Sequence, residues 1–185
     1  MQKNESTFTG YSNRMSEILS LINPLEVNKL LESIKNASLN NGTIYVLGNG
    51  GSASTASHFV NDLTIITMRR GVKIKAISLV DSIATITAIG NDESFDDIFK
   101  TQLLNRLEKK DLVFSISASG NSSNLVNAVK FANEIGATTS SLLGFSGGIL
   151  KTISKNFCLV LTEKGEYGPV EDAHMSVCHY LALNA

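Results

Sequence analysis

The sequence predicts a doubly wound α/β domain built on a five-stranded parallel sheet, with a pair of helices ahead of it. Five short apolar or β-branched runs recur: TIYVLG (43–48), KIKAISLV (73–80), DLVFSIS (111–117), ATTSSLLGF (137–145) and FCLVLT (157–162). Helix-like stretches separate most of them. Strands that are apolar almost throughout belong to parallel sheets covered on both faces. The 185 residues suffice for one core and leave no room for a second, since a domain of roughly 150 residues already hides about two thirds of its unfolded surface. Residues 1–185 are therefore one domain, with the helical pair in 1–41 and the α/β core and C-terminal helix in 42–185.

The helical pair comes first. Met15, Ile18, Leu19 and Ile22 keep the i, i+3, i+4, i+7 spacing of one helix, and Val27, Leu30, Leu31 and Ile34 that of another. Asn23 as N-cap, Pro24 at the first helical position and Glu26 at the third mark where the second begins. The pair either covers the sheet or serves self-association.

The first strand ends in Gly48-Asn49-Gly50-Gly51, and a helix follows near Ser52. At the carboxyl end of a parallel strand, a helix N-terminus offers unpaired amides to an anion. Gly48 to Ala53 also satisfies the G-x-G-x-x-A pattern of dinucleotide sites, with Asp81 past the second strand as a possible ribose partner. A plain strand-to-helix turn is the remaining alternative. In the helix that follows, His58 and Asp62 stand at i and i+4 on one face, suited to proton transfer, to a metal, or to an ordinary surface pair.

The third strand runs into SISASGNSSN, where Ser115, Ser117 and Ser119 alternate onto one face and Ser122 and Ser123 open the next helix. Some of these hydroxyls serve as caps, but five serines exceed what one cap requires. The loop has no G-x-x-x-x-G-K-[ST] and, downstream, no lysine nearer than Lys130, so it lacks the charge that nucleotide hydrolysis recruits. A neutral cradle of hydroxyls and amides suits a phosphate monoester on a small molecule. In the last segment, GPVEDAHMSVCHYLALNA, Pro169 and the acids after it read as a helix start that puts Glu171, His174 and His179 on overlapping faces. All three histidines thus fall in two helices that also carry carboxylates.

Composition narrows the partners. Sixteen basic against seventeen acidic side chains give a net charge of -1, with no basic stripe, which argues against nucleic acid. The N-terminal residues lack an apolar signal core, and no apolar run approaches the roughly 20 residues needed to cross a bilayer. A soluble, cytoplasmic protein without a membrane partner is the expectation. Cys158 and Cys178 sit in apolar contexts without metal-knuckle spacing and read as buried free thiols.

Taken together, GNGGSASTASHF, TAIGND (87–92), SISASGNSSN and EDAHMSVCH resemble the sugar isomerase (SIS) domain proteins of the phosphoheptose isomerase type, in order and approximate spacing over roughly residues 10–185. The resemblance implies a cytoplasmic homotetramer, a five-stranded parallel sheet, an N-terminal helical pair between subunits, and active sites shared across subunit contacts. It implies that Asn49, Gly50, Gly51 and Ser52 line a sugar phosphate site, that Asn91 and Asp92 contact substrate, and that Ser117, Ala118, Ser119 and Ser122 hold the phosphate. By the same likeness Asp62 is the catalytic carboxylate, His179 the catalytic histidine, Glu171 a substrate contact, and His58, Asp62, Glu171 and His179 a zinc site. No nucleotide cofactor is implied.

The chemistry fits these side chains independently: aldose–ketose interconversion through an enediol needs a base for the carbon-bound proton and an acid for the carbonyl oxygen. Sedoheptulose 7-phosphate is the substrate the resemblance suggests. Three positions depart from the family's usual residues: Asp62 stands for Glu, Glu171 for Gln and Ala118 for Thr. The first shortens the carboxylate by a methylene, and misplacement by about 1 Å can cost on the order of 100-fold in rate. The second makes a two-His, two-carboxylate set that a dication such as zinc would accept. Another sugar phosphate, a non-catalytic phosphosugar-binding role, and a nicotinamide-dependent dehydrogenase are the competing readings.

Overall fold

The computed structural model describes residues 7–185. Residues 1–6, which open the segment assigned above to the helical pair and to a chain start without a signal core, lie outside the described residues. The elements alternate as expected: α1 (Phe8–Leu21), α2 (Pro24–Leu39), β1 (Thr43–Gly48), α3 (Gly51–Arg69), β2 (Lys75–Ser78), α4 (Ile83–Asp92), a 3-10 turn (Phe95–Asp97), α5 (Lys100–Leu103), β3 (Leu112–Ser117), α6 (Ser123–Ile135), β4 (Thr138–Gly144), α7 (Leu150–Ile153), β5 (Asn156–Val160) and α8 (Tyr167–Asn184). The sheet has five strands in the order β2-β1-β3-β4-β5, and every neighbouring pair is parallel. The chain moves outward one way from β1 to β2 and the other way from β3 onward. The switch point therefore lies between the carboxyl ends of β1 and β3, where open α/β sheets gather their ligands.

Side chains alternate across the strands, so each face has its own core. Ile44, Val46, Phe114 and Ile116 pack with Leu30 and Ile34 of α2, Phe59 and Leu63 of α3, and Val177 and Leu181 of α8. On the other face Tyr45, Leu47 and Val113 pack with Phe99, Leu103, Leu125 and Val129. The helical pair thus covers the sheet, with Ile18, Leu30 and Ile34 fully buried. Its outer surface keeps apolar side chains in solvent, including Leu21 and Leu25 at 60% and 70% exposure. In α4, rich in isoleucine and alanine, no residue is buried.

Local differences from the sequence expectations have simple causes. Asn23 caps α2 by accepting from the Leu25 amide, but Glu26 closes no capping box. Its carboxylate accepts from the Leu159 amide in β5 and so ties α2 to the sheet. Helix α8 begins two residues before Pro169. Proline is tolerated there because first-turn amides have no partner within the helix. The acids Glu171 and Asp172 consequently fall in the second turn. Both cysteines are buried free thiols, and burial pushes the Cys158 thiol up to about 12. Among the described residues no helix is long and apolar enough to cross a membrane.

Candidate active site

Two loops meet at the switch point. The turn after β1 and the serine loop after β3 enclose a cavity of about 270 Å³, whose lining includes Asn49, Gly50, Gly51, Ser52, Ser117, Ala118, Ser119, Ser122 and Glu171. Nine of the expected substrate-site residues therefore converge there. Helices α3 and α6, which start on this cavity, have no side-chain cap hydrogen bond, whereas Thr7, Asn23 and Ser82 cap α1, α2 and α4. Free first-turn amides on two helices facing one cavity are what an anion requires.

The serines divide by role. Ser115 lies in the core, linked to Ser141 at 2.6 Å, and Ser141 to Ser154 at 2.6 Å. Ser117 Oγ accepts from the Gly120 amide at 3.0 Å and Ser119 Oγ from the Asn121 amide at 3.3 Å, so each hydroxyl still has a proton to donate. The turn needs glycine at position 120: φ is +66°, and a Cβ would stand 1.9 Å from the Gly147 carbonyl oxygen.

The Asn49 side-chain amide is already engaged, exchanging two hydrogen bonds with Asn124 at 2.8 and 3.1 Å. The pair locks the glycine turn to the start of α6 and so fixes the width of the cavity. Sequence reasoning missed Asn124. Its only signal is a poor helix former, fully buried in the event, at the second position of α6. Asn91 and Asp92 do not enter the cavity: both are exposed at the end of α4, with Asn91 Nδ2 bonded to Asp92 Oδ1. Asp81, the candidate ribose contact, accepts instead from Ser57 and Ser78 at 2.7 and 2.9 Å.

A second group forms further along α3, where α8 packs beside it. His58 Nε2 and His179 Nε2 are 3.1 Å apart, and Asp62 Oδ2 lies 3.3 Å from the first and 3.6 Å from the second. These atoms form one potential metal-holding group. For ligands about 2.0–2.1 Å from a tetrahedral zinc, neighbouring ligand atoms stand about 3.3 Å apart, so the chemistry and spacing of the three donors fit a divalent ion. Both histidine side chains are nearly half exposed, at 47% and 48%, and Asp62 is at 19%.

Two expected members fall elsewhere. Glu171 is not in the three-residue group; its carboxylate lies against Gly51, where a Cβ would come within 2.3 Å of it. Positions 171 and 179 are eight residues apart, about 12 Å along a helix axis. In this chain the two side chains do not converge on one point. His174 turns inward and is fully buried, and neither ring nitrogen has a hydrogen-bond partner among the described residues. Burial pulls its pKa down to about 4, against an opposing influence of the Leu143 main chain.

The first helix braces the cavity from outside. Arg14 grips Glu166 with two hydrogen bonds, Nε to Oε1 at 3.0 Å and Nη2 to Oε2 at 2.9 Å. Tyr11 donates to Asp172 at 2.5 Å, and burial with this bond pushes its phenol up to about 12. Both contacts hold the start of α8, which carries Tyr167 and Glu171 into the cavity.

The SIS domain family model matches residues 10–144 of this chain. The chain belongs to the SIS domain family. Among curated SIS relatives, a probable phosphoheptose isomerase of Thermoplasma acidophilum is 34% identical over 160 residues, covering 85% of this chain and 87% of the relative. A phosphoheptose isomerase of Syntrophotalea carbinolica is 31% identical over 173 residues, covering 91% and 87%. Among solved SIS structures, the phosphoheptose isomerase of Francisella tularensis superposes with a TM-score of 0.86 at 26% identity, covering 97% of this chain and 94% of that one. That of Neisseria gonorrhoeae gives 0.82 at 27%, covering 95% and 93%.

Proposed function

We propose that this SIS protein is an aldose–ketose isomerase that converts sedoheptulose 7-phosphate into D-glycero-D-manno-heptose 7-phosphate. One observation carries the reading: an anion cradle of free helix amides and hydroxyls accompanies a separate imidazole–carboxylate group equipped for proton transfer. The relatives named phosphoheptose isomerase point to the same chemistry. In this assignment Ser117, Ser119 and Ser122, with the amides at Gly51, Ser52 and Ala118, hold the phosphate. Asp62 takes a proton from C1 of the ketose, leaving an enediol, and returns it to C2. His179 protonates O2 and removes the proton from O1, so nothing is consumed.

His58, Asp62 and His179 would hold a divalent ion, with zinc the best match to two imidazoles and a carboxylate. Bound there, it would polarise the substrate carbonyl. Asn91 and Asp92 remain in the proposed substrate set as rim contacts.

The proposed setting is a cytoplasmic homotetramer whose sites are shared between subunits. Glu171 does not join the His58–Asp62–His179 group within one chain, and both histidines of that group are nearly half exposed. A neighbouring subunit's cradle and Glu171 would complete and cover it. Mixing a His179→Asn variant with a Ser119→Ala/Ser122→Ala variant should then restore activity that neither has alone. The exposed apolar surface of α4 and of the helical pair is consistent with such contacts.

Incubation with sedoheptulose 7-phosphate in deuterated water, followed by NMR, tests the reaction. An aldose anomeric proton with deuterium at C2 is the expected result. The shorter Asp62 favours a second reading, a non-catalytic phosphosugar binder, which would bind the sugar phosphate and exchange no proton. Unchanged turnover in Asp62→Asn would remove that residue from the mechanism.

A further inference from the structure

We infer that Lys164 supplies the positive charge that the serine cradle lacks, acting from a neighbouring cavity on the same phosphate. The inference rests on the cradle being the phosphate site. No cation lines the cradle itself. Beside it is a larger cavity, about 450 Å³, lined in part by Ser146, Thr162 and Lys164, and it shares Ser119 and Tyr167 with the cradle. Lys164 is the one cation lining either cavity among the described residues. It makes no hydrogen bond or ion pair with any described residue, so its ammonium is uncommitted.

Charge makes the need specific. Residues 163–172, EKGEYGPVED, carry four carboxylates and one ammonium group, and the start of α8 presents Glu171 to the cradle. A dianionic phosphate entering there meets like charge before it meets the helix amides. Arg14 cannot relieve this, since its guanidinium is held by Glu17 and Glu166. Among the described residues lining the two cavities, Lys164 is the basic side chain left to do so.

The surrounding geometry gives the lysine both an anchor and room. Glu166 accepts from the Glu163 amide at 2.6 Å and from Arg14, which pins both ends of the turn that carries Lys164. At the tip, Gly165 has φ +106°, and the exposed Lys164 beside it lines the cavity wall, where its four-carbon stem gives the ammonium reach. Phe145, held at φ +51°, meets Tyr167 edge to face at 5.3 Å and forms an aromatic wall beside the passage at Ser119. Thr162 Oγ1 is buried there without a partner among the described residues, a polar atom left for a ligand or a water.

The test compares the native protein with Lys164→Gln and Lys164→Arg, using inorganic phosphate and sedoheptulose 7-phosphate as probes in calorimetric titrations at two salt concentrations. Lys164→Gln should weaken both ligands by about 10- to 100-fold, the range of a lost charge-assisted hydrogen bond. Its KM should rise by a similar factor while kcat at saturation holds. Lys164→Arg should recover most of the loss, and the salt dependence of binding should shrink only in the Gln variant. Equal phosphate affinity in the native protein and Lys164→Gln overturns the role of the lysine and leaves the cradle standing. Failure of the native protein itself to bind either probe overturns the cradle, and the inference with it.

Discussion

Lowering the pH should destabilise this fold through His174, by an amount that follows from its position. The imidazole is fully buried without hydrogen bonds among the described residues, and burial moves its pKa from 6.5 to about 4. Between those values the unfolded chain holds a proton that the native chain refuses. Stability is therefore complete above pH 6.5 and is lost as pH falls toward 4. At about 1.36 kcal/mol per pH unit, the loss is about 2 kcal/mol between pH 7.5 and pH 5, and about 3 kcal/mol by pH 4. Urea unfolding at pH 7.5 and 5 reads this directly: with a slope of about 2 kcal/mol per M, the midpoint should fall by about 1 M from this group alone. His174→Leu provides the control, because the other titrating groups are common to both proteins. It removes two unpartnered buried nitrogens and should match or exceed the native stability at pH 7.5, while losing about 2 kcal/mol less on acidification. Equal midpoint shifts in the two proteins would refute the assignment.

The bracing of α8 predicts that Arg14→Met, which deletes the fork onto Glu166, costs about 1 kcal/mol in urea unfolding and raises KM more than it lowers kcat. Gly120→Ala puts a methyl group 1.9 Å from the Gly147 carbonyl oxygen at φ +66° and should cost about 3 kcal/mol or more in the same assay, with loss of phosphate binding. For the proposed zinc, the protein equilibrated with zinc and then desalted should carry one ion per chain by elemental analysis, and His58→Ala essentially none. Zinc at 100 times its dissociation constant should stabilise the native protein by about 2.7 kcal/mol and leave His58→Ala unmoved in thermal melts.

The sheet and both loops were legible in the sequence because they rest on local signals. Apolar runs mark strands, and the glycines and serines at Gly50–Ser52 and Ser117–Ser122 mark turns into helices, whatever the rest of the chain does. What escaped depends on angles and distances between elements. His174 and His179 are five residues apart, about 140° around a helix, so one must turn inward when the other faces α3. That arithmetic was available in the sequence, but which histidine the core would take was not. Glu171, eight residues before His179, stays outside the group that His179 joins, a result of how α8 packs against α3. Asn124 and Glu26 were beyond reach for another reason: each bonds a distant segment, Asn49 and Leu159 respectively, and no local pattern encodes such a pair. Lys164 lies in a charged turn that reads as ordinary solvent-facing sequence until the cavity beneath it is seen.

If the proposed shared site is right, catalysis and assembly are one problem for this chain. The two histidines of the His–Asp group stand nearly half exposed on a single chain, in water where an enediol is poorly served, since solvent screens the charges that would stabilise the transition state. Burial by a second copy would bring in Glu171 beside the cradle and exclude that water. It would also cover the apolar surface of α4 and the outer stripe of the helical pair, whose exposure costs roughly 25 cal/mol per Å². In the proposed assembly Asp62 and Glu171 would be neighbours across a subunit contact. Two carboxylates brought together there repel unless a dication lies between them. Metal binding would thus strengthen assembly, and assembly would strengthen metal binding, by the same factor.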